Sequence, residues 1–384
     1  MKTKMDRRNF ILLLAALPFG GCTASQIQRG VSSAGHVLSG DVAGAVGRYI
    51  PTTGMPVVDQ MLRDQLNSLA REIARLWQDK KVASKKEYVK YTHAYRSRAV
   101  VNFVQGRVRV ETVEEEDPRQ KLKEAIVTTL LTPEDPGKVD LLSDKEITGQ
   151  GRPFLYGLVA DHDGKFIRWS WRARRYADYL LENALQTQER GEVKSYFVDF
   201  AMVREHQAQQ QLKFQHLVMQ NARRFNQPPA LIYAVMEAES SFNPYAMSHI
   251  PAYGLMQIVP TSAGRDVHQL LYGREGTPSR EYLFVPENNI RMGAAYLHLL
   301  ESRYLRKVKD PASRRYCVIA AYNTGSGNVL KAFAPNNNNL ALNRINSLGP
   351  SEVYAHLVHN LPHQETRNYL PKVVGLQEKY LEIR

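Results

Sequence analysis

The chain has almost no cysteine: Cys22 and Cys317 are the only two in 384 residues. A disulfide-stapled scaffold is therefore excluded, and the fold must rest on apolar burial. Long apolar runs are missing too. The run Phe10 to Phe19 falls well short of the roughly 20 residues that a bilayer-spanning helix needs. There is no long Lys/Arg tract, although the net charge is +13, so the basic residues are spread out rather than gathered into a nucleic-acid-binding arm. No Walker loop, dinucleotide fingerprint or serine-hydrolase elbow occurs, which removes the common nucleotide and acyl-transfer chemistries. What remains is ordinary globular material, 43% apolar and 23% charged, long enough for two or three cores. Its positive charge suits an anionic setting, whether nucleic acid, a membrane surface or an acidic cell-wall polymer, and does not choose among them.

The first residues narrow the setting. Lys2, Lys4, Arg7 and Arg8 precede the short apolar run, and Gly20 and Gly21 precede Cys22, which is the layout of a secretory signal. A Cys behind small residues resembles the bacterial lipoprotein box, with Phe19 where Leu is usual. The resemblance implies removal of residues 1–21, lipid on Cys22, and sorting to the outer membrane, facing the periplasm, because Thr23 rather than Asp follows. Arg7-Arg8-Asn-Phe-Ile11 also resembles a twin-arginine export signal, and the general secretory route fits equally well. Residues 22–55, rich in Gly, Ser, Ala and Thr, read as a tether. Cys317, within Tyr316-Cys-Val-Ile-Ala-Ala, reads as a small core residue.

The fold class expected is an α+β N-terminal domain over 56–198, followed by a mostly α-helical domain over 199–384. Residues 57–77 carry apolar positions at helical spacing. Residues 99–113 alternate apolar and polar around Gln105-Gly106, a hairpin pattern, and 154–171 suggest a second hairpin turning at Asp161-His-Asp-Gly164. That turn lacks the further ligands of a calcium loop. A helix is predicted over 172–188. Beyond Phe200 the predicted helices are 201–226, 229–241, 287–306, 312–323 and 364–382, with Asn336 to Asn339 as a polar loop.

One helix carries chemistry. Pro228-Pro229 starts it and Asn243-Pro244 stops it. At about 100° per residue, Leu231, Ile232, Val235 and Met236 form one apolar arc with Glu239 near its centre, while Glu237 falls on the opposite face, toward water. An inward carboxylate is either a structural ion pair or an acid kept protonated by burial and by the negative end of its helix. The wheel leaves both open. A protonated carboxyl near neutral pH is what glycosidic cleavage requires as general acid.

Glu239-Ser-Ser-Phe-Asn-Pro, Ser248 and Ala252-Tyr-Gly-Leu-Met-Gln257 resemble the first motif of the soluble-lytic-transglycosylase family. Ala321-Tyr-Asn-Thr-Gly-Ser-Gly-Asn-Val329 is similar to its second, and Glu365-Thr-Arg-Asn-Tyr369-Leu-Pro-Lys-Val373 to its third. Ser262 to Asp266, Gly276 to Ser279 and Pro311 to Tyr316 look like one branch of that family, whose members add an α+β N-terminal domain. The resemblance implies a lysozyme-like catalytic domain that cleaves the β-1,4 bond between N-acetylmuramic acid and N-acetylglucosamine. The muramyl 6-hydroxyl attacks, leaving a 1,6-anhydro end.

Carried over residue by residue, the resemblance makes Glu239 the single acid and base and brings Tyr322 to the catalytic centre. Ser248, Met256, Gln257, Asn323 and Tyr369 become substrate-binding or cleft residues. Glu365, by its position at a helix start, reads instead as a cap or ion-pair partner of its own helix. Tyr253 departs from the small residue usual before Gly-Leu-Met-Gln, and Thr324 from the usual Gly or Ala. The implied partners are peptidoglycan glycan strands and, through the anchor, a lipid bilayer; no nucleic acid, cofactor or metal is expected. His356, His359 and His363 have helical spacing, but Pro362 interrupts them and no acidic partner completes a metal site. Two rivals stay open: a hydrolytic muramidase of the same fold, and a lipoprotein that binds the wall without cutting it.

Overall fold

The computed structural model describes residues 73–381 apart from 78, 80, most of 137–150 and 249–251. The signal, Cys22, the tether and most of the helix expected at 57–77 lie outside the described residues. The chain forms two compact units, Met1–Lys81 with His249–Pro251, and Val82–Ser248 with Ala252–Arg384. In the first, residues 73–76 are helical. The second holds the sheet and all the helices that follow.

Five strands form an antiparallel sheet: β1 (Glu87–Thr92), β2 (Ser97–Asn102), β3 (Arg107–Thr112), β4 (Gln186–Arg190) and β5 (Val193–Ala201), in the order β1-β2-β3-β5-β4. The hairpin expected around Gln105-Gly106 is β2–β3, with Val101 opposite Val108 and Ala99 opposite Val110. Those four side chains share one face, as period-2 alternation requires, and pack on α1 (Pro118–Leu131) and α2 (Ser170–Asn183) in one core. Strand β5 runs past residue 198 to Ala201, held beside β3 by an Arg109 Nε–Asp199 Oδ1 bond of 2.9 Å.

Residues 154–171 do not make a second hairpin. Only Ala160 and Phe166 pair, as an isolated bridge. Asp161 explains this. Its Oδ1 accepts from the Asp163 and Lys165 N–H groups at 3.0 and 2.9 Å, and its other oxygen from Arg172, curling the segment on itself. The helix expected at 172–188 is α2, which stops at Asn183 because Gln186–Arg190 is claimed by pairing with β5.

The helical region begins with α3 (His206–Phe225), later than the predicted 201, and continues with α4 (Pro229–Ser240), α5 (Arg265–Tyr272), α6 (Arg280–Phe284) and α7 (Pro286–Leu299). A π-type turn, Leu300–Tyr304, extends α7. Then come α8 (Pro311–Thr324), α9 (Ser326–Phe333), α10 (Asn338–Ser347), α11 (Pro350–Asn360) and α12 (Gln364–Tyr380). The polar loop expected at 336–339 is instead a helix start: Asn337 Oδ1 accepts from the Leu340 N–H at 2.9 Å and caps α10. Cys317 is fully buried on α8, and burial pushes its thiol up to about 12.

Candidate active site

Helix α4 is buried on almost every side, not along one stripe. Ten of its twelve residues are inaccessible, and Glu239 is 5% exposed. A helix enclosed by α3 and α12 can afford apolar residues all round. The expectation for Glu237 is corrected. It does not face open water; its carboxylate accepts from Lys379 Nζ at 2.9 Å and from the Tyr380 hydroxyl, fastening α4 to α12. The wheel separated the two carboxylates correctly but could not know that α12 would cover the second.

Past Ser240 the chain breaks helix sharply, with Ser241 and Phe242 at φ 51° and 62°. The left-handed region is costly for a bulky residue such as Phe, and neighbouring bonds hold it. Ser241 N–H reaches Glu237 O at 3.1 Å, and Asn243 Oδ1 accepts from Tyr245 N–H at 3.0 Å. Ser240 Oγ, 2.7 Å from Leu255 O and 2.9 Å from Met236 O, joins the helix end to the Gly-Leu-Met-Gln turn.

That turn is a clamp of backbone and amides. Gly254 and Gln257 have φ of 76° and 48°. Tyr253 and Ile258 exchange both backbone hydrogen bonds at 3.1 Å. Gln257 Nε2 donates to Ala246 O and Gly254 O, each at 3.0 Å, while its Oε1 is buried without a protein partner. Its amide therefore holds the loop, leaving one acceptor over. Met256 N–H donates to Asn289 Oδ1 at 2.7 Å, and Met256 O accepts from the Tyr322 hydroxyl at 2.8 Å. Ser248, also buried, donates its backbone N–H to Ala252 O at 3.2 Å. Tyr253 points inward, its ring edge-on to Phe284 at 5.5 Å.

The second and third motifs meet at Glu239. Burial and then the charge of Glu239 raise the Tyr322 phenol well above its usual value, and the same two causes raise Tyr369. The Tyr369 hydroxyl is buried and makes no hydrogen bond of good geometry. Asn323 Oδ1 accepts from Thr366 Oγ1 at 2.7 Å, so Asn323 ties α8 to α12. Glu365 does not cap its own helix. It is 69% exposed and lies 3.5 Å from Lys85 Nζ.

Lys85 is the unexpected member. It precedes β1, 154 positions before Glu239, and its Nζ lies 3.3 Å from Glu239 Oε2. Burial pulls its pKa down, but Glu239 and Glu365 outweigh burial and hold the ammonium above the usual lysine value. Lys372 comes near from α12, donating to Ala238 O at 2.9 Å; burial lowers its pKa, with Lys86 adding to the effect. Nothing in a Lys85-Lys86 pair within a basic chain marks either residue for a site. Asn289 was hidden in the same way, as one polar residue near the start of a predicted helix.

The three histidines are divided between two helices, and a different partner engages each of the first two. His356 stacks on Phe333 and contacts Ala332 O at 2.9 Å, His359 contacts Ala355 O at 2.8 Å, and His363 stands at the start of α12.

Comparison with known proteins supplies the family. Residues 57–213 match a family model described as the membrane-bound lytic murein transglycosylase C N-terminal domain, and 216–345 match the transglycosylase SLT domain. Among curated proteins, "Membrane-bound lytic murein transglycosylase C" of Klebsiella pneumoniae is 45% identical over 82% of this chain and 88% of its own. The protein of that name from Yersinia enterocolitica is 44% identical over the same shares. Among solved structures, the 70 kDa soluble lytic transglycosylase of Escherichia coli aligns at 24% identity over 46% of this chain and 25% of its own, with a TM-score of 0.35.

Proposed function

The chain belongs to the membrane-bound lytic murein transglycosylase C family, and on that premise we propose that Glu239 is the one acid and base with which it cuts peptidoglycan. The observation that carries the residue assignment is a single enclosed carboxylate, at the end of a buried helix, whose charge reaches two phenols from separate motifs.

The steps follow from one carboxyl group. Glu239 in its acid form gives its proton to the oxygen between muramyl and glucosaminyl rings, and that C–O bond breaks. The muramyl ring becomes oxocarbenium-like. The carboxylate left behind then takes the proton of the muramyl 6-hydroxyl as that oxygen bonds to the anomeric carbon, closing the 1,6-anhydro ring. The proton count balances and no water enters. Retaining and inverting hydrolases need a second carboxyl to act as nucleophile or to activate water; this sequence of events does not. Tyr322 and Tyr369 line the carboxylate, Met256 and Gln257 form the turn beside it, and Ser248 faces the substrate near the muramyl N-acetyl group. Asn323 acts through Thr366, setting the spacing of α8 and α12.

Glu239→Gln tests the assignment. Product release from peptidoglycan should fall by at least about 100-fold, the usual contribution of a general acid, with glycan binding retained. Undiminished cleavage would exclude Glu239. Mass analysis of wild-type products should give muramyl ends one water lighter than hydrolysis gives; full-mass reducing ends would make the enzyme a muramidase.

The relatives' printed name says membrane-bound, and we extend that to this chain as an envelope enzyme anchored through lipid on Cys22, on the outer membrane facing the periplasm. Among the described residues no helix is long and apolar enough to cross a membrane. Loss of membrane-fraction recovery in a Cys22→Ala chain is the expected result; unchanged recovery would refute the anchor.

A further inference from the structure

We propose that Lys85, supplied by the sheet domain, is a positioning residue for the reaction: by bridging Glu239 and Glu365 it fixes the catalytic carboxylate and sets the pH range over which that carboxylate works. The inference rests on the role given to Glu239 above and adds a part for the N-terminal domain in the chemistry itself.

Both ends of Lys85 are held, the ammonium by two carboxylates and the backbone by the loop that follows α4. Its Nζ lies 3.3 Å from Glu239 and 3.5 Å from Glu365. Its backbone is tied separately: Asn243, four residues beyond Glu239, places Nδ2 at 3.4 Å from Lys85 O and 3.5 Å from Ser84 O, and Met247 N–H reaches Ser84 O at 3.4 Å. Ser84 Oγ in turn accepts from the Lys86 and Glu87 N–H groups at 3.3 and 3.1 Å, shaping the lead into β1. A long flexible side chain loses much rotamer freedom when it is fixed, and these backbone ties lower that cost in advance.

The effect on chemistry follows from charge. Other titratable groups around the carboxylate are Tyr322 on α8 and Tyr369, Glu365 and Lys372 on α12, with Lys86 beside Lys372. Both phenols stay neutral across the working range because burial and Glu239 raise them. Lys372 spends a donor on the Ala238 carbonyl. Among the described residues, Lys85 is the cation with an ion-pair contact to Glu239. An ammonium at that distance attracts the carboxylate charge and orients one of its oxygens, leaving the other for the substrate. The same carboxylate must hold a proton for the first step and lack it for the second, so an ammonium fixed beside it bears on both.

The test is the pH profile of kcat/KM on purified glycan strands, in full-length wild type, Lys85→Met, Lys85→Arg and Glu365→Gln. In Lys85→Met the acid form survives to higher pH, so the alkaline limb should move up by about one unit, while kcat at the optimum falls about tenfold with KM little changed. Lys85→Arg should restore the wild-type limb and most of the rate. Glu365→Gln removes a negative charge instead, so its limb should move the opposite way, to lower pH. Opposed displacements mark an electrostatic role, since a residue that only docked two domains would change rate and melting temperature without moving the limb. An unmoved limb in Lys85→Met, or equal losses in Met and Arg, would overturn the proposal. Activity surviving in Glu239→Gln would instead overturn the reading beneath it.

Discussion

Asn289 occupies the space that a side chain at Gly254 would need: a Cβ on Gly254 would lie 2.3 Å from Asn289 Nδ2 and 2.5 Å from Leu283 O. The same amide donates to Tyr253 O at 2.7 Å and Leu283 O at 2.6 Å, and its oxygen accepts from Met256 N–H. One buried side chain therefore sets the turn that carries Met256 and Gln257.

Asn289→Ala leaves the Leu283 carbonyl and the Met256 N–H without that partner in a buried site, and takes one of two donors from the Tyr253 carbonyl. A loss of about 3 kcal/mol is expected by denaturant titration, from several unsatisfied buried groups together. Gly254→Ala should cost a similar amount, because it combines a positive φ with a clash against backbone. Stability within about 0.5 kcal/mol of wild type in either variant would contradict the clamp.

Tyr322→Phe separates packing from hydroxyl. The ring still packs on Tyr296, at 5.5 Å, but Met256 O loses its 2.8 Å donor. Stability should fall by about 1 kcal/mol and glycan cleavage by about tenfold or more, since the turn beside Glu239 loses its fixed carbonyl. Cleavage at the wild-type rate would place Tyr322 in the core alone.

Glu237→Gln is the control for Glu239→Gln. Glu237 holds Lys379 and Tyr380, away from the motif tyrosines, and burial followed by Glu237 itself keeps the Tyr380 phenol raised. Melting temperature should drop, reflecting about 1–2 kcal/mol for the lost charged acceptor, with turnover within about twofold of wild type. A large loss of turnover without destabilisation would show that the wheel had chosen the wrong carboxylate.

How much of this was legible in the sequence depended on distance along the chain. Helix α4 was readable to within one residue because its Pro start, Asn-Pro stop and apolar spacing are all local. The β2–β3 hairpin was readable for the same reason, from alternation around one Gly. Strand β1 and Lys85 were not. The pairing that defines β1 and the carboxylate that Lys85 meets are supplied by other segments, and a basic residue carries no mark of its partner. The turn at Asp161 looked like a hairpin tip because a curled Asx turn and a hairpin use the same residues. Motif resemblance supplied Tyr322 and Tyr369, and the fold then set both phenols within reach of one charge.

Asp161 predicts a pH signature in the sheet domain. Burial would push its carboxyl up, but the Lys165 N–H, Arg172 and the Asp163 N–H together hold it below the usual aspartate value. A folded-state pKa below the unfolded one gives stability that is present above the unfolded value of about 3.9 and is lost as pH falls through the folded value. Asp161→Asn should therefore be less stable than wild type at pH 7, by about 2 kcal/mol for a charge-assisted network. The gap should close on going to about pH 2, where wild type has lost the same contribution. Thermal unfolding of both chains across that range decides it, and a gap independent of pH would disprove the charge argument.

Tyr245, one residue beyond the first motif's Pro244, is fully buried in the core beneath the sheet, edge-on to Tyr88 at 5.0 Å and to Phe154 at 5.3 Å. Its hydroxyl bonds the Pro133 carbonyl. Any protein trimmed to start at the first helix beyond the sheet would keep every motif residue and still be damaged. A large aromatic ring would be left in solvent immediately beside the catalytic loop, and Glu239 would lose its ammonium partner. A weak or aggregating fragment of that kind would report the wound of excision and would say little about how well the lysozyme-like half cuts glycan. The two halves share one interior, and their seam runs past Glu239.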